Sequence, residues 1–170
     1  MGLHPGELAG GARDGGRLSG ALPMSAVTAQ WWGDYIGLPF VDGGRDWSGV
    51  DCWGLVRLVY AHELAVDLPD YGEIAASDLR ALSGIMMAGA WSDPAWRPVE
   101  RPRDFDVAVM TFYGKRAVGH VGVMIGESAV LHIERQMHAA VVPLSHWTIK
   151  NRIKCFRRHA TLTAALATAS

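Results

Sequence analysis

The sequence predicts an α+β fold from three observations. Apolar residues recur at helical spacing up to about Asp67, period-two alternation takes over after Asp106, and a stretch from Trp91 to Asp104 carrying Pro94, Pro98 and Pro102 divides the two. A helix bearing a candidate nucleophile is therefore expected to pack on an antiparallel β-sheet.

The elements follow in order. Residues 27–36, with Trp31, Trp32 and Tyr35, suit a short helix, and the run Gly37-Leu38-Pro39-Phe40-Val41-Asp42-Gly43-Gly44 suits a loop. Gly49-Val50-Asp51-Cys52-Trp53-Gly54-Leu55-Val56-Arg57 then opens a second helix. Asp51 is a good N-cap, Cys52, Leu55, Val56, Val59 and Tyr60 share one face, and Pro69 stops the chain after Asp67. Ser77 suits the cap of a third helix buried through Leu79, Leu82, Ile85 and Met86. The proline-bearing linker predicts no regular structure. Residues 107–112, 120–125 and 129–134 read as a three-stranded meander with turns at Gly114-Lys115 and Gly126-Glu127-Ser128, and residues 153–157 as an added outer strand.

Composition bounds the function classes. A chain of 170 residues, 49% hydrophobic and 19% charged, supports one domain with a real core. Net charge of −1 offers no footprint for nucleic acid, and no apolar run is long enough for membrane insertion. Two cysteines are too few for a disulfide framework, which suits a reduced place of synthesis, although a single bridge between them stays open. Residues 1–23, with seven glycines and no apolar face, are expected to form a flexible arm, with Met24 as an alternative start. The arm lacks the pattern of a signal peptide. Residues 24–159 form the expected domain, and 160–170 a low-complexity Ala/Thr tail that is either a frayed helix or disordered.

Chemistry concentrates on three side chains. Cys52 lies in the first turn of its helix, where unpaired N–H groups and the helix dipole favour thiolate and can receive an oxyanion. His120, Gly122 and Met124 share one face of their strand, opposite Val121, Val123 and Ile125, and His132 on the next strand comes alongside. If the Cys52 helix packs on the His120 face, thiol and both imidazoles line up. His120 then takes the thiol proton and returns it to a leaving amine, while His132 fixes its tautomer. A lone cysteine on an apolar helix face is ordinarily structural. The first-turn position, the Gly-rich approach and the two strand histidines favour catalysis here. His62, His138, His146 and His159 read as surface or loop residues, Cys155 as a core or edge thiol, and Trp31, Trp32 and Trp147 as core or rim aromatics.

Those motifs resemble the NlpC/p60-type cell-wall cysteine peptidases. Gly37-Leu38-Pro39-Phe40, Gly43-Gly44, Asp51-Cys52-Trp53-Gly54-Leu55-Val56, His120-Val121-Gly122-Val123-Met124-Ile125 and Val130-Leu131-His132-Ile133 carry the likeness, over roughly residues 31–158. The resemblance implies a papain-like fold, hydrolysis of peptidoglycan stem peptides (commonly the bond from γ-D-glutamate to a diamino acid), no cofactor, and Cys52, His120 and His132 as nucleophile, general base and orienting residue. Gly44-Arg45-Asp46, the segment 50–60 and Leu68-Pro69-Asp70-Tyr71 are similar to the phage and prophage tail-tip branch. That branch implies synthesis in the bacterial cytoplasm, tail-tip proteins as partners and action at the cell wall. Asp51 matches the family and implies a carboxylate beside the substrate, although a helix cap explains it equally. Trp53 and Phe40 stand where the family has Ser and Tyr, and Phe105 stands where Gly is expected. Trp53 and Trp47 flank Cys52 in sequence and are candidate substrate contacts. Two other readings stay open: a zinc site made by Cys52, His120 and His132, and a non-catalytic tail component with the same fold.

Overall fold

The computed structural model describes residues 30–70 and 94–167, so the N-terminal arm and the helix expected after Ser77 lie outside the described residues. Trp31–Tyr35 forms a 3-10 turn within the helix expected over residues 27–36. A two-residue ribbon, β1 (Arg45–Asp46) and β2 (Gly49–Val50), precedes α1 (Cys52–Leu64). Then come β3 (Trp96–Val99), β4 (Val107–Thr111), β5 (Val118–Ile125), β6 (Ala129–His132), β7 (Ala140–Pro143), β8 (Ile153–His159) and α2 (Ala160–Ala167). The last six strands form one antiparallel sheet in the order β3-β8-β4-β5-β6-β7.

Helix α1 starts where the sequence says it should. Asp51 is extended and its carboxylate accepts the Gly54 N–H at 2.6 Å, satisfying a first-turn donor that would otherwise have no partner. Gly54 itself is required, because a Cβ there would lie 2.0 Å from the Gly44 carbonyl oxygen. The helix ends at Leu64, earlier than expected, as Ala65 turns left-handed at φ 54° and the Val66 N–H reaches back to the Tyr60 carbonyl at 3.1 Å. Its buried face is the expected one: Cys52, Leu55, Val56, Val59 and Tyr60. Burying each of the larger of these contributes about 1.5–3 kcal/mol.

The face of the sheet that receives α1 differs from the expected one. One core joins α1 to Val107, Val109, Val121, Val123, Leu131 and Ile133. A second, smaller core of Ala108, Met110, Met124, Val130 and Ile149 fills the face shared by His120 and Gly122. The large β-branched and aliphatic side chains lie on the odd-numbered face, which is the one an apolar helix buries best.

The sheet is also wider than the expected meander. Residues 96–99 form a strand despite Pro98, because β3 is an edge strand and an edge tolerates a residue with no N–H to donate. Residues 153–159 lie inside the sheet, between β3 and β4, rather than outside it. Fully buried Asp106 ties these strands together: Arg158 donates to its two oxygens at 2.8 and 2.6 Å, and the Arg103 N–H adds a bond at 2.9 Å. The tail begins as α2 directly after β8.

Phe105 explains its own departure from the family pattern. Its backbone is left-handed at φ 69°, the conformation a glycine would supply without strain, yet its ring is buried 4.5 Å from that of Trp31. Its carbonyl accepts the Tyr60 hydroxyl at 2.6 Å. Ring burial outweighs a backbone cost of about 1–2 kcal/mol. Phe105→Ala is therefore expected to lose about 3–5 kcal/mol of stability, and Phe105→Gly about 1 kcal/mol less than that. Urea unfolding checks the order; a glycine variant less stable than the alanine variant would contradict the strain at this position.

Candidate active site

The first turn of α1 delivers Cys52 to strand β5 at its backbone. The N–H of Val121 points at the sulfur, joined there by the N–H groups of Trp53 and Cys52 itself. Val121 directly follows His120, so the thiol meets the strand one residue from the imidazole. The paired ladder between β5 and β6 ends at Gly122 and His132.

Both histidines are buried, and His120 Nε2 lies 3.0 Å from His132 Nδ1. The register makes this possible. His132 stands directly across from Gly122, where a Cβ would come within 3.0 Å of the His132 Cβ and 2.6 Å of Val130 Cγ2. With no side chain at Gly122, the His132 ring leans diagonally onto His120. Nε2 is the His120 nitrogen engaged by His132, and Nδ1 is the other.

Electrostatics favour uncharged partners at rest. The Cys52 thiol is pushed up to about 12, first by burial and then by the Asp51 carboxylate, while the three N–H groups pull the other way without prevailing. Helix-end stabilisation of a resting thiolate, expected from the sequence, is thus outweighed by desolvation. His120 is held well below its ordinary value by burial, then by His132 and Arg152. His132 is lowered by burial, opposed by the Glu134 carboxylate. A neutral imidazole is a proton acceptor, and a neutral thiol has a proton to give.

Two further charged groups complete the cluster. Glu134 Oε1 lies 3.4 Å from His120 Nε2 and 3.8 Å from His132 Nδ1. Arg152 Nη2 approaches the same oxygen at 2.5 Å. Arg152 is buried, and its Nε and Nη1 donate to the carbonyls of Thr111 and Thr148 at 2.9 and 3.1 Å. Sequence reasoning passed over both. Glu134 carried a signal, since it follows His132 by two residues and so keeps its parity, whereas Arg152 lies in a loop with no local pattern.

The other candidates fall elsewhere. The Asp51 carboxylate is committed to Gly54, to the Gly43 N–H at 3.1 Å and to Arg45 at 2.8 Å, so the cap accounts for it. Trp53 is half-buried, donates its indole N–H to the Pro69 carbonyl at 3.1 Å and meets the Trp96 ring edge-on. Trp47 is 44% exposed but stacks on Tyr35 and touches His62 in the last turn of α1, about 15 Å along the helix from Cys52. Trp147 is 72% exposed. Cys52 and Cys155 are both free thiols. Among the described residues, the group whose ligand atoms come within 4.8 Å of one another is His120, His132 and Glu134, and Cys52 is not a member. A guanidinium on the carboxylate opposes a dication there, and the 3.0 Å nitrogen separation is that of a hydrogen bond.

The fold defines the class, a papain-like α+β scaffold with the Cys52 helix packed on an antiparallel sheet. The NlpC/P60 family model matches residues 37–158, and the chain belongs to that family. Similar solved structures include the NlpC/p60 domain of the peptidoglycan hydrolase SagA, 21% identical with a TM-score of 0.52, covering 81% of this chain and 99% of that one. An NLP/P60 family protein similar to lipoprotein from Staphylococcus aureus matches at 21% identity and a TM-score of 0.53 over 83% of this chain and 44% of that one. An NlpC/P60 family protein from Bacillus cereus matches at 19% identity and a TM-score of 0.54, over 82% and 41%. The chain thus spans under half the length of the last two. No curated protein matches it.

The buried imidazoles imply acid sensitivity. Below the ordinary value of 6.5 the unfolded chain binds protons that the folded His120 and His132 refuse. Their contribution is present above that pH and is lost on acidification, by up to about 1.4 kcal/mol per pH unit for each histidine. The urea midpoint is expected to fall between pH 7 and 5, and less steeply in His120→Gln. Equal slopes would contradict a neutral buried His120.

Proposed function

We propose that this chain is a cysteine-type peptidoglycan hydrolase that cleaves stem peptides through Cys52, His120 and His132. The observation that supports the reading is the Val121 N–H on the Cys52 sulfur, one residue along β5 from His120, in a chain of the NlpC/P60 family. Catalysis starts from the neutral pair. The Sγ proton passes to His120 Nδ1, sulfur attacks the scissile carbonyl, and the oxyanion is received by first-turn N–H groups. His120 gives the proton to the departing amine, and water, deprotonated by the same imidazole, then hydrolyses the thioester. His132 holds the His120 ring in place.

The finer reading is the bond between γ-D-glutamate and the diamino acid, cut by a tail-associated enzyme of a phage or prophage. Its support is the Gly44-Arg45-Asp46 run, the segment 50–60 and Leu68-Pro69-Asp70-Tyr71. A structural tail component is the second reading, favoured by the 7% exposure of Cys52. Among the described residues no helix is long and apolar enough to cross a membrane.

Mass spectrometry of defined muropeptides separates the two. Wild-type protein is expected to release the diamino-acid fragment, Cys52→Ala to release none, and His120→Ala to slow turnover by about 10²–10⁴-fold. His132→Ala should cost less than His120→Ala. Hydrolysis by Cys52→Ala at the wild-type rate would rule out the mechanism, and an inert wild type would favour the structural reading.

A further inference from the structure

Glu134 and Arg152 are buried or half-buried charges that the three-residue mechanism does not use. Glu134 Oε1 sits 3.4 Å from His120 Nε2, nearer than its 3.8 Å to His132 Nδ1. A carboxylate accepts hydrogen bonds and never donates them. A proton between the two rings is therefore drawn toward the nitrogen closer to that charge. Arg152 Nη2 forms an ion pair with the same oxygen at 2.5 Å, while its Nε and Nη1 are tied to Thr111 and Thr148. Its positive charge disfavours an imidazolium on either ring, and the Glu134 carboxylate opposes it at His132.

The tautomer matters for chemistry. If His132 Nδ1–H donated to His120 Nε2, the His120 proton would sit on Nδ1 and that nitrogen could not take the thiol proton. With the proton on His120 Nε2, the bond runs to His132 Nδ1, and the Nδ1 lone pair of His120 is free for Cys52. We propose that Glu134, ion-paired with Arg152, is a positioning residue that keeps the His120 proton on Nε2. Its catalytic consequence rests on the hydrolase reading above, while its effect on the tautomer does not.

The test reads both, on the full chain. Long-range ¹H–¹⁵N spectra at neutral pH are expected to show His120 protonated mainly on Nε2 in wild type and shifted toward Nδ1 in Glu134→Gln. Glu134→Asp, which retains the charge, should restore the wild-type pattern in part. On stem peptides, Glu134→Gln is expected to lower kcat by about 10–100-fold with KM unchanged. A His120 proton on Nδ1 in wild type, or the same tautomer and kcat in wild type and Glu134→Gln, would overturn the proposal. A wild-type His120 proton on Nδ1 overturns the proposal even if the glutamine variant does not fold, and the partial shift expected in Glu134→Asp then supplies the comparison. Should wild type hydrolyse nothing, the hydrolase reading fails while the tautomer comparison still judges Glu134.

Discussion

The structure depends on how one carboxylate fixes one helix tip. Asp51 takes the N–H groups of Gly54 and Gly43 and the guanidinium of Arg45, so it ties the first turn of α1 to the glycine loop before it. With that turn fixed, the Cys52 sulfur is held against the Val121 N–H and the apolar side of α1 meets Val121 and Val123. Substitution of a residue that only caps would cost a helix about 1 kcal/mol. Here the same change would also release the thiol from its strand.

Site electrostatics follow from depth. Burial raises the thiol and lowers both imidazoles, which leaves the resting cluster neutral at sulfur and rings, with the ion pairs Asp51–Arg45 at the helix tip and Glu134–Arg152 beside the rings. Such a site holds no thiolate–imidazolium pair at rest. In the proposed mechanism charge arises when substrate is in place, where the N–H groups around the sulfur stabilise the thiolate and then the oxyanion.

Much of this was legible in the sequence, because local rules govern it. Asp51 as cap, the buried face of α1, the turns at Gly114 and Gly126, and the shared parity of His120 and Gly122 all rest on spacing or on backbone preference. Which face α1 would cover was not legible, since both faces carry apolar residues and the choice depends on total volume packed. The place of β8 between β3 and β4 is a non-local pairing that no short window encodes. Pro98 concealed β3, as an edge strand and a linker look alike locally. Arg152 gave no sign because its partners, Glu134, Thr111 and Thr148, come together only in three dimensions.

The most direct measurement is covalent capture of the nucleophile. A stem-peptide mimic ending in an acyl electrophile should leave a single adduct on intact protein, mapped by peptide mass spectrometry to Cys52 and lost in His120→Ala. Labelling of Cys155 instead, or equal labelling of Cys52 with and without the His120 imidazole, would contradict a sulfur whose reactivity is lent to it by the neighbouring strand.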